Sequence, residues 1–291
     1  MNKPANHYSG KSLRAVSYFP GCSLATTAHE SNESLVISFE QLGVQLMELE
    51  DWNCCGSSSA HCIQHDLAID LPSRNLSLAP ANRPLLVACP SCLLRLRETH
   101  EHLKRDMAAR EHYETKWGKP FNPDLKIYHF FEFLEGMDPS REQSVPIPGL
   151  KDLKFAAYYG CMLARPPILN REKNYHGLME NMLSKVGALS VTWHHKSRCC
   201  GTFLTVARPD VVTPIVNTIV QDAMDAGAEC IITACAMCHM NLEVRCTVKS
   251  PIPIFHFSEI LSLAMGTKIR NSWFARHLIN PVPLLKSRGL I

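Results

Sequence analysis

The sequence predicts an α/β protein made of two parallel-sheet lobes related by internal duplication, and three observations carry that expectation. First, ten of the thirteen cysteines fall into two copies of one pattern: Cys22, Cys54-Cys55, Cys89 and Cys92, then Cys161, Cys199-Cys200, Cys235 and Cys238. The gaps are 31 and 33 residues in the first copy and 37 and 34 in the second. Second, the repeat extends beyond cysteine: "VSYFPGCSLA" (16–25) parallels "FAAYYGCMLA" (155–164), and "KIYHFFEFL" (126–134) parallels "PIFHFSEIL" (253–261). Third, short β-type runs alternate with helical patterns along both halves, which is the signature of βαβ units.

The elements follow in chain order. The first half reads as a strand at "AVSYF" (15–19), a helix across 29–42, a strand at "VQLMEL" (44–49) and a helix across 62–79. A strand at "PLLVAC" (84–89), a helix from 92 and a strand at "KIYHF" (126–130) complete it. The second half repeats this with "KFAAYY" (154–159), a helix across 174–186, "ALSVTWH" (188–194), a helix across 209–226, "CIITAC" (230–235), a helix from 238 and "IPIFHF" (252–257). Such alternation gives parallel strands with helices on the sheet faces, hence two Rossmann-like lobes. From the CxxC to the shared histidine (His129 or His256) takes 37 residues in the first half and 18 in the second, so the first lobe carries an insert, assigned to the polar helix within 93–117. The charged, proline-containing stretch 135–152 reads as the connection. The boundaries are therefore 14–138 for the N-terminal lobe, 139–152 for the linker and 153–291 for the C-terminal lobe with its tail.

Composition narrows the function. A net charge of +3 from 30 basic and 27 acidic residues gives no electrostatic case for a nucleic-acid partner. The first twenty residues hold no apolar signal region and no apolar run is long enough for a membrane span, so a cytoplasmic protein is expected. Thirteen cysteines in a long chain, an odd number without a secretion signal, point away from a disulfide scaffold and toward metal, cluster or redox chemistry.

Each cysteine group follows a β run, and loops leaving the carboxyl edge of one parallel sheet converge, as open α/β sheets do when they build sites. Each lobe thus gathers five thiols. A structural zinc takes four ligands and leaves one over. A redox CxxC leaves the single cysteine and the adjacent pair unused. Adjacent cysteines in extended chain point to opposite sides, so a shared centre favours one with several metal atoms, and an iron–sulfur cluster meets that requirement. Zinc in at least one lobe stays open as the alternative. Gly56 and Gly201, following the pairs, are expected at positive φ with their N–H groups near sulfur.

At these residues the sequence resembles the B subunit of heterodisulfide reductase and its CCG-domain relatives. The likeness covers nearly the whole chain through "YFPGCSL", "ELEDWNCCG", "PSRNLSLA", "CPSC", "YYGCMLARP", "CCGTF", "CAMCHMNLE", "FHFSEILSLAMG" and "HLINPVPLL". Single CCG pairs also occur in lactate and glycolate oxidation subunits and in fumarate-reductase-like proteins, which often bring ferredoxin segments that this sequence lacks. The resemblance implies two CCG domains, each with a noncubane [4Fe-4S] cluster. Cluster one would use Cys22, Cys54, Cys55, Cys89 and Cys92, and cluster two Cys161, Cys199, Cys200, Cys235 and Cys238, with the cluster-bearing Cys54, Cys55, Cys199 and Cys200 at the catalytic centre. It also implies a C-like partner with cubane clusters and an A-like flavoprotein.

Opening a disulfide moves two electrons and a cluster usually handles one, so two matched centres facing one cleft suit disulfide–thiol interconversion. Direction stays open between reducing a coenzyme heterodisulfide and oxidising sulfur compounds or thiols on a lipoate-bearing carrier protein. A non-catalytic electron-transfer or zinc-stabilised assembly subunit is the competing class. Cys62, Cys230 and Cys246 read as ordinary small packing residues; Met237 and Met240 read as packing residues, with lining a substrate cleft as the alternative. His61, His194 and His195 lie near the pairs in sequence and are expected to make ordinary hydrogen bonds, with supplying protons to a thiolate product as the alternative, and His129 and His256 a structural one. The tail 280–291 carries apolar residues without helical periodicity and is expected to dock on another lobe or on a partner.

Overall fold

The computed structural model describes residues 14–135, 137, 149–170, 175–267 and 273–291. The expected two-lobe α/β architecture is what it shows. In the first lobe, β1 (Arg14–Phe19) leads through α1 (Cys22–Ala25) and α2 (His29–Gln41) to β2 (Val44–Glu48). Then come α3 (Ala60–Ile63), α4 (Leu67–Leu78), β3 (Leu85–Val87), α5 (Pro90–Arg105), α6 (Met107–Trp117), β4 (Ile127–His129) and α7 (Phe130–Glu135). The second lobe runs β5 (Lys154–Tyr158), α8 (Gly160–Ala164), α9 (Pro167–Asn170), α10 (Leu178–Ser184) and β6 (Leu189–Ser190). A 3-10 turn at Thr202–Leu204, α11 (Pro209–Asp225), β7 (Cys230–Thr233), α12 (Ala236–Arg245), β8 (Ile254–His256) and α13 (Phe257–Ala264) follow, and α14 (Val282–Ser287) lies in the tail.

The sheets have identical topology, β2-β1-β3-β4 and β6-β5-β7-β8, with every pairing parallel. The chain leaves β1 toward one side and returns as β3 on the other, which opens a crevice at the carboxyl ends of these strands. Their runs are largely apolar because helices cover both faces: Leu85, Leu86 and Val87 are fully buried, as are Phe155, Ala156, Ala157 and Tyr158.

Three details depart from the expected elements. The insert of lobe one is α6, capped by the Asp106 side chain on the Ala109 N–H at 2.9 Å, together with the longer α5; the helix beginning at the CxxC is common to both lobes. The strand expected over 188–194 is only two residues long, since the ladder ends with Val191 N–H donating to Phe155 O and Trp193 then turns inward to donate to Ala157 O at 3.1 Å. Of the linker, residues 139–148 lie outside the described residues, while Leu150 is fully buried and its N–H donates to Val186 O, so 149–152 pack on the second lobe.

The tail forms a short helix after all. Leu285 is buried, Arg288 pairs with Glu229 and Lys151 Nζ donates to Gly289 O at 2.5 Å, so the tail docks on its own lobe.

The lobes meet reciprocally. Helix α2 of lobe one packs on α13 of lobe two, and α10 of lobe two packs on α7 of lobe one. The α2/α13 contact is made of serines: Ser34 and Ser258 hydroxyls are 2.6 Å apart, Ser38 and Ser262 2.7 Å, and Ser258 and Ser262 donate across the seam to the carbonyls of Ser31 and Ser34. Small side chains let the helices approach, and each buried hydroxyl finds a partner there. Beside them Phe130 stacks on Phe257 at 5.7 Å and Phe131 meets Phe257 edge-on at 4.7 Å.

A double-mutant cycle tests the serine seam. Ser34→Ala and Ser258→Ala should each cost about 1 kcal/mol of unfolding free energy, with a coupling of at least about 0.5 kcal/mol in urea denaturation. Strict additivity would show that the seam does not act as a unit.

Candidate functional site

Both thiol sets form at the crevice the topology opens. In lobe one, Cys22 begins α1 directly after β1, Cys89 follows β3, and Cys92 sits in the first turn of α5 behind Pro90. Cys54 and Cys55 lie in the loop after β2, Cys54 exposed and Cys55 buried, as adjacent extended residues require. Cys54 Sγ is 3.8 Å from Cys22 Sγ, and Cys55 Sγ is 3.0 Å from Cys92 Sγ. The second set repeats this: Cys199 is exposed and interacts with Cys161, while the buried Cys200 lies 3.5 Å from Cys238, Sγ to Sγ. All ten are free thiols.

The loops carrying the pairs are clamped differently in the two lobes. Asn75 on α4 accepts from Asn53 N–H at 2.9 Å and donates to Asn53 O at 2.8 Å, and Arg74 binds the Asn53 side chain and Asp51. In lobe two, Asn241 on α12 donates to Cys200 O at 2.8 Å and Arg245 donates to Thr205 O at 2.6 Å, while Tyr158 OH donates to Arg198 O.

Four glycines shape the sites. Gly56 and Gly201 have φ of 73° and 78°, as expected, and their N–H groups point at Cys54 and Cys199 Sγ at 3.5 and 3.3 Å. Gly21 and Gly160, just before the single cysteines, also have positive φ, and a β-carbon there would stand 2.9 Å from Cys92 Sγ and 3.2 Å from Cys238 Sγ. The sequence reading missed this second pair, although "PGC" and "YGC" repeat at matched positions.

The two sets touch. Helix α1, which opens at Cys22, packs on α12 of the other lobe, and α8, which holds Cys161, packs on α5. Cys89 and Cys235, the first residues of the two CxxC motifs, interact directly across the seam. The Cys22 and Cys161 thiols are pushed far up by their hydrogen bonds to Cys54 and Cys199 and by burial. Cys54 and Cys199 are correspondingly lowered by those bonds, Cys199 to about 6, with the glycine N–H groups adding to the effect.

The donor set suits an iron–sulfur centre. It consists of soft thiols alone, five per lobe where a tetrahedral zinc takes four, with backbone N–H groups turned to sulfur. An apolar cavity of about 240 Å³ adjoins the second set, bounded by Met162, Phe203, Leu204 and Met237 and reaching Pro90 and Ser91 of the first lobe.

The remaining candidates stand apart. Cys230 is fully buried in β7, Cys62 is exposed on α3 and Cys246 lies at the end of α12. His61 is exposed, and His194 and His195 are occupied by Asp222, His195 Nδ1 at 2.7 Å. His129 and His256 open α7 and α13; each backbone N–H donates to a glutamate three residues on, Glu132 at 2.6 Å and Glu259 at 2.7 Å. Burial holds both imidazoles neutral, His256 down to about 4. Met237 lines the apolar cavity and Met240 a separate one.

A family model described as CCG, cysteine-rich domain, matches residues 16–97 and 155–243. The chain is similar to the 8-methylmenaquinol:fumarate reductase membrane anchor subunit of Wolinella succinogenes, 28% identical over 92% of this chain and 98% of that protein. It is also similar to the B subunit of the ferredoxin/F420H2-dependent CoB-CoM heterodisulfide reductase of Methanosarcina acetivorans, 25% identical over 87% of this chain and 90% of that one. Lactate utilization protein A of Exiguobacterium is 24% identical over 85% and 96%. In fold it matches a crystal structure of a hypothetical protein from Helicobacter pylori with a TM-score of 0.72 at 13% identity, covering 94% of this chain and 55% of that chain. Among the described residues no helix is long and apolar enough to cross a membrane.

The glycine cradle is testable against an internal control. Gly43 shares a φ of 77° but has open space at its β-carbon, whereas Gly21 faces Cys92. Gly43→Ala should cost about 1 kcal/mol for the left-handed backbone alone. Gly21→Ala should cost at least about 1 kcal/mol more in urea denaturation, through the added crowding. Equal costs would mean that the sulfur approach is not constrained.

Proposed function

The chain belongs to the CCG cysteine-rich domain family, and from that premise we propose that each lobe holds a noncubane [4Fe-4S] cluster and that the chain is the B-type subunit of a heterodisulfide-reductase-like complex. The observation carrying the proposal is the gathering of ten free thiols into two sets of five that touch at Cys89 and Cys235. Cys22, Cys54, Cys55, Cys89 and Cys92 would hold one cluster and Cys161, Cys199, Cys200, Cys235 and Cys238 the other. Bound there, such a group supplies one-electron transfer at thiolate-ligated iron.

The protein supplies what surrounds that chemistry. Cleaving a disulfide takes two electrons and two protons and yields two thiols, and the duplication offers a pair of one-electron sites for one S–S bond. The apolar wall of Met162, Phe203, Leu204 and Met237 would take the hydrocarbon part of a disulfide or thiol and exclude water beside Cys199 and Cys200. The exposed sulfurs Cys54 and Cys199 lie on the side open to an incoming molecule. Electrons would pass to or from a C-like cubane-cluster protein and an A-like flavoprotein, in the cytoplasm. The same site run in reverse would oxidise sulfur compounds or carrier-bound thiols.

A second reading is an electron-transfer subunit without disulfide chemistry, and the fumarate reductase relative favours it, since that protein is named for quinol–fumarate chemistry. Zinc held in one lobe would give an assembly role instead.

Metal and sulfide analysis separates these readings: two clusters correspond to about eight iron atoms with matching acid-labile sulfide per chain. Cys199→Ser should remove roughly half of that iron and abolish disulfide reduction by the assembled complex, and Cys54→Ser should do the same from the other side. Full turnover in either variant would refute the paired-site mechanism, and zinc with sulfur ligands in the wild type would refute the cluster assignment for that lobe.

A further inference from the structure

The duplication also acts as an internal control, and one place where the two lobes diverge forms a site of its own. Five residues after the second CxxC cysteine, lobe one has Arg97 and lobe two has Glu243; one residue after it, lobe one has Leu93 and lobe two has His239. Both lobes keep the glutamate that caps the last strand, Glu132 or Glu259. In lobe one Arg97 neutralises Glu132 at 2.9 Å, and Leu93 is fully buried. In lobe two the arginine position is itself acidic, so two carboxylates face each other, with side chains only 5% and 1% exposed.

His277 sits between them, Nδ1 3.0 Å from Glu243 Oε1 and Nε2 3.3 Å from Glu259 Oε1. Even a fully protonated His277 leaves two buried negative charges against one positive. Arg276, on the rim of the same cavity, is paired with Glu30 at 2.8 Å. His239 adds an unmet group: its Nε2 is buried without a hydrogen-bond partner, 3.7 Å from Glu243 Oε1, in a residue that is 92% buried.

We propose that His239, Glu243 and His277 bind one divalent transition-metal ion of the zinc class, separate from the thiol centres. One ligand atom from each of the three lies within 4.8 Å of the others. Ligands at 2.0–2.1 Å around a tetrahedral ion stand ~3.3 Å apart, which the 3.0 and 3.7 Å separations bracket, and a ring rotation closes the third. Glu259 then accepts from the second nitrogen of His277, the carboxylate–histidine–metal arrangement that orients such ligands. Two carboxylates balance the ion, and the proton His277 carries without it is released to solvent. Two histidines and one glutamate leave a fourth position, which faces a cavity of about 330 Å³ bordered by Thr27, Ser31, Trp273 and Leu278.

The test uses the full chain as isolated, with iron measured separately. Wild type treated with a mild chelator and then titrated with Zn²⁺ should take up one equivalent, and zinc-edge X-ray absorption should show nitrogen and oxygen ligands. The double variant H239L/E243R installs the residues of lobe one and should weaken zinc binding by more than about 100-fold with iron unchanged. His277→Ala, away from the thiols, gives the same reading if the double variant loses iron. Sulfur in the zinc shell, no uptake by wild type, or undiminished affinity in the variants would overturn the proposal.

Discussion

The approach of α2 to α13 governs where everything else lies. Serine at 31, 34, 38, 258 and 262 keeps that contact narrow, and the hydroxyls of Ser34, Ser38, Ser258 and Ser262 are spent on each other and on carbonyls, including those of Ser31 and Ser34 across the seam. A leucine at any of these positions would hold the lobes apart by its own width. With the lobes pressed together, the single-cysteine helix of each packs on the CxxC helix of the other, and Cys89 meets Cys235. Each thiol set, though supplied by one lobe, is therefore braced by a helix of the other. A change in the seam far from any sulfur would alter the spacing of the two centres, because packed helices transmit displacement instead of absorbing it.

The same seam bears on the inner thiols, since the bond from Cys235 holds Cys89 well below the usual thiol range. Cys54 and Cys199, the exposed first members of the pairs, are held below the usual thiol range by the bonds from Cys22 and Cys161, with the glycine N–H groups adding to the effect. Burial works in the opposite direction on Tyr18 and Tyr158, whose hydroxyls are driven well above their ordinary range and stay as donors, to Asn32 and to Arg198 O. Tyr18 and Tyr158 thus stay neutral beside the two centres.

Much of this was legible in the sequence because duplication writes each feature twice. The parallel sheets and the convergence of the cysteines follow from cysteine groups placed after β runs, and residues 16–19 and 155–158 lie in buried sheet strands. What repetition does not encode was lost. The serine contact pairs residues more than two hundred positions apart, and a serine in a helix gives no periodic signal of burial. The short β6 reads as a longer strand because Val191 and Trp193 are apolar for another reason, Trp193 turning in to cap Ala157 O. The tail helix escaped because its stability comes from Leu285 and the Arg288–Glu229 pair, which are tertiary contacts, not from local amphipathicity.

Divergence between the copies carries as much information as their agreement. At the strand-capping glutamate both lobes face one electrostatic problem, a carboxylate buried at the foot of a helix whose N–H groups it must satisfy. Lobe one solves it with a fixed cation from the neighbouring helix, Arg97, which also donates to Ile127 O and reaches Tyr175 of the other lobe. Lobe two gives up that cation and imports His277 from beyond α13, a side chain whose charge can be exchanged for another. Burial opposes the charge on His277, yet the two carboxylates raise it to about 10. A permanently charged arginine closes its site to any ion, and an imidazole with two usable nitrogens does not. One duplicated scaffold has therefore kept its thiol geometry in both halves while making the surroundings of the second CxxC helix receptive to a cation.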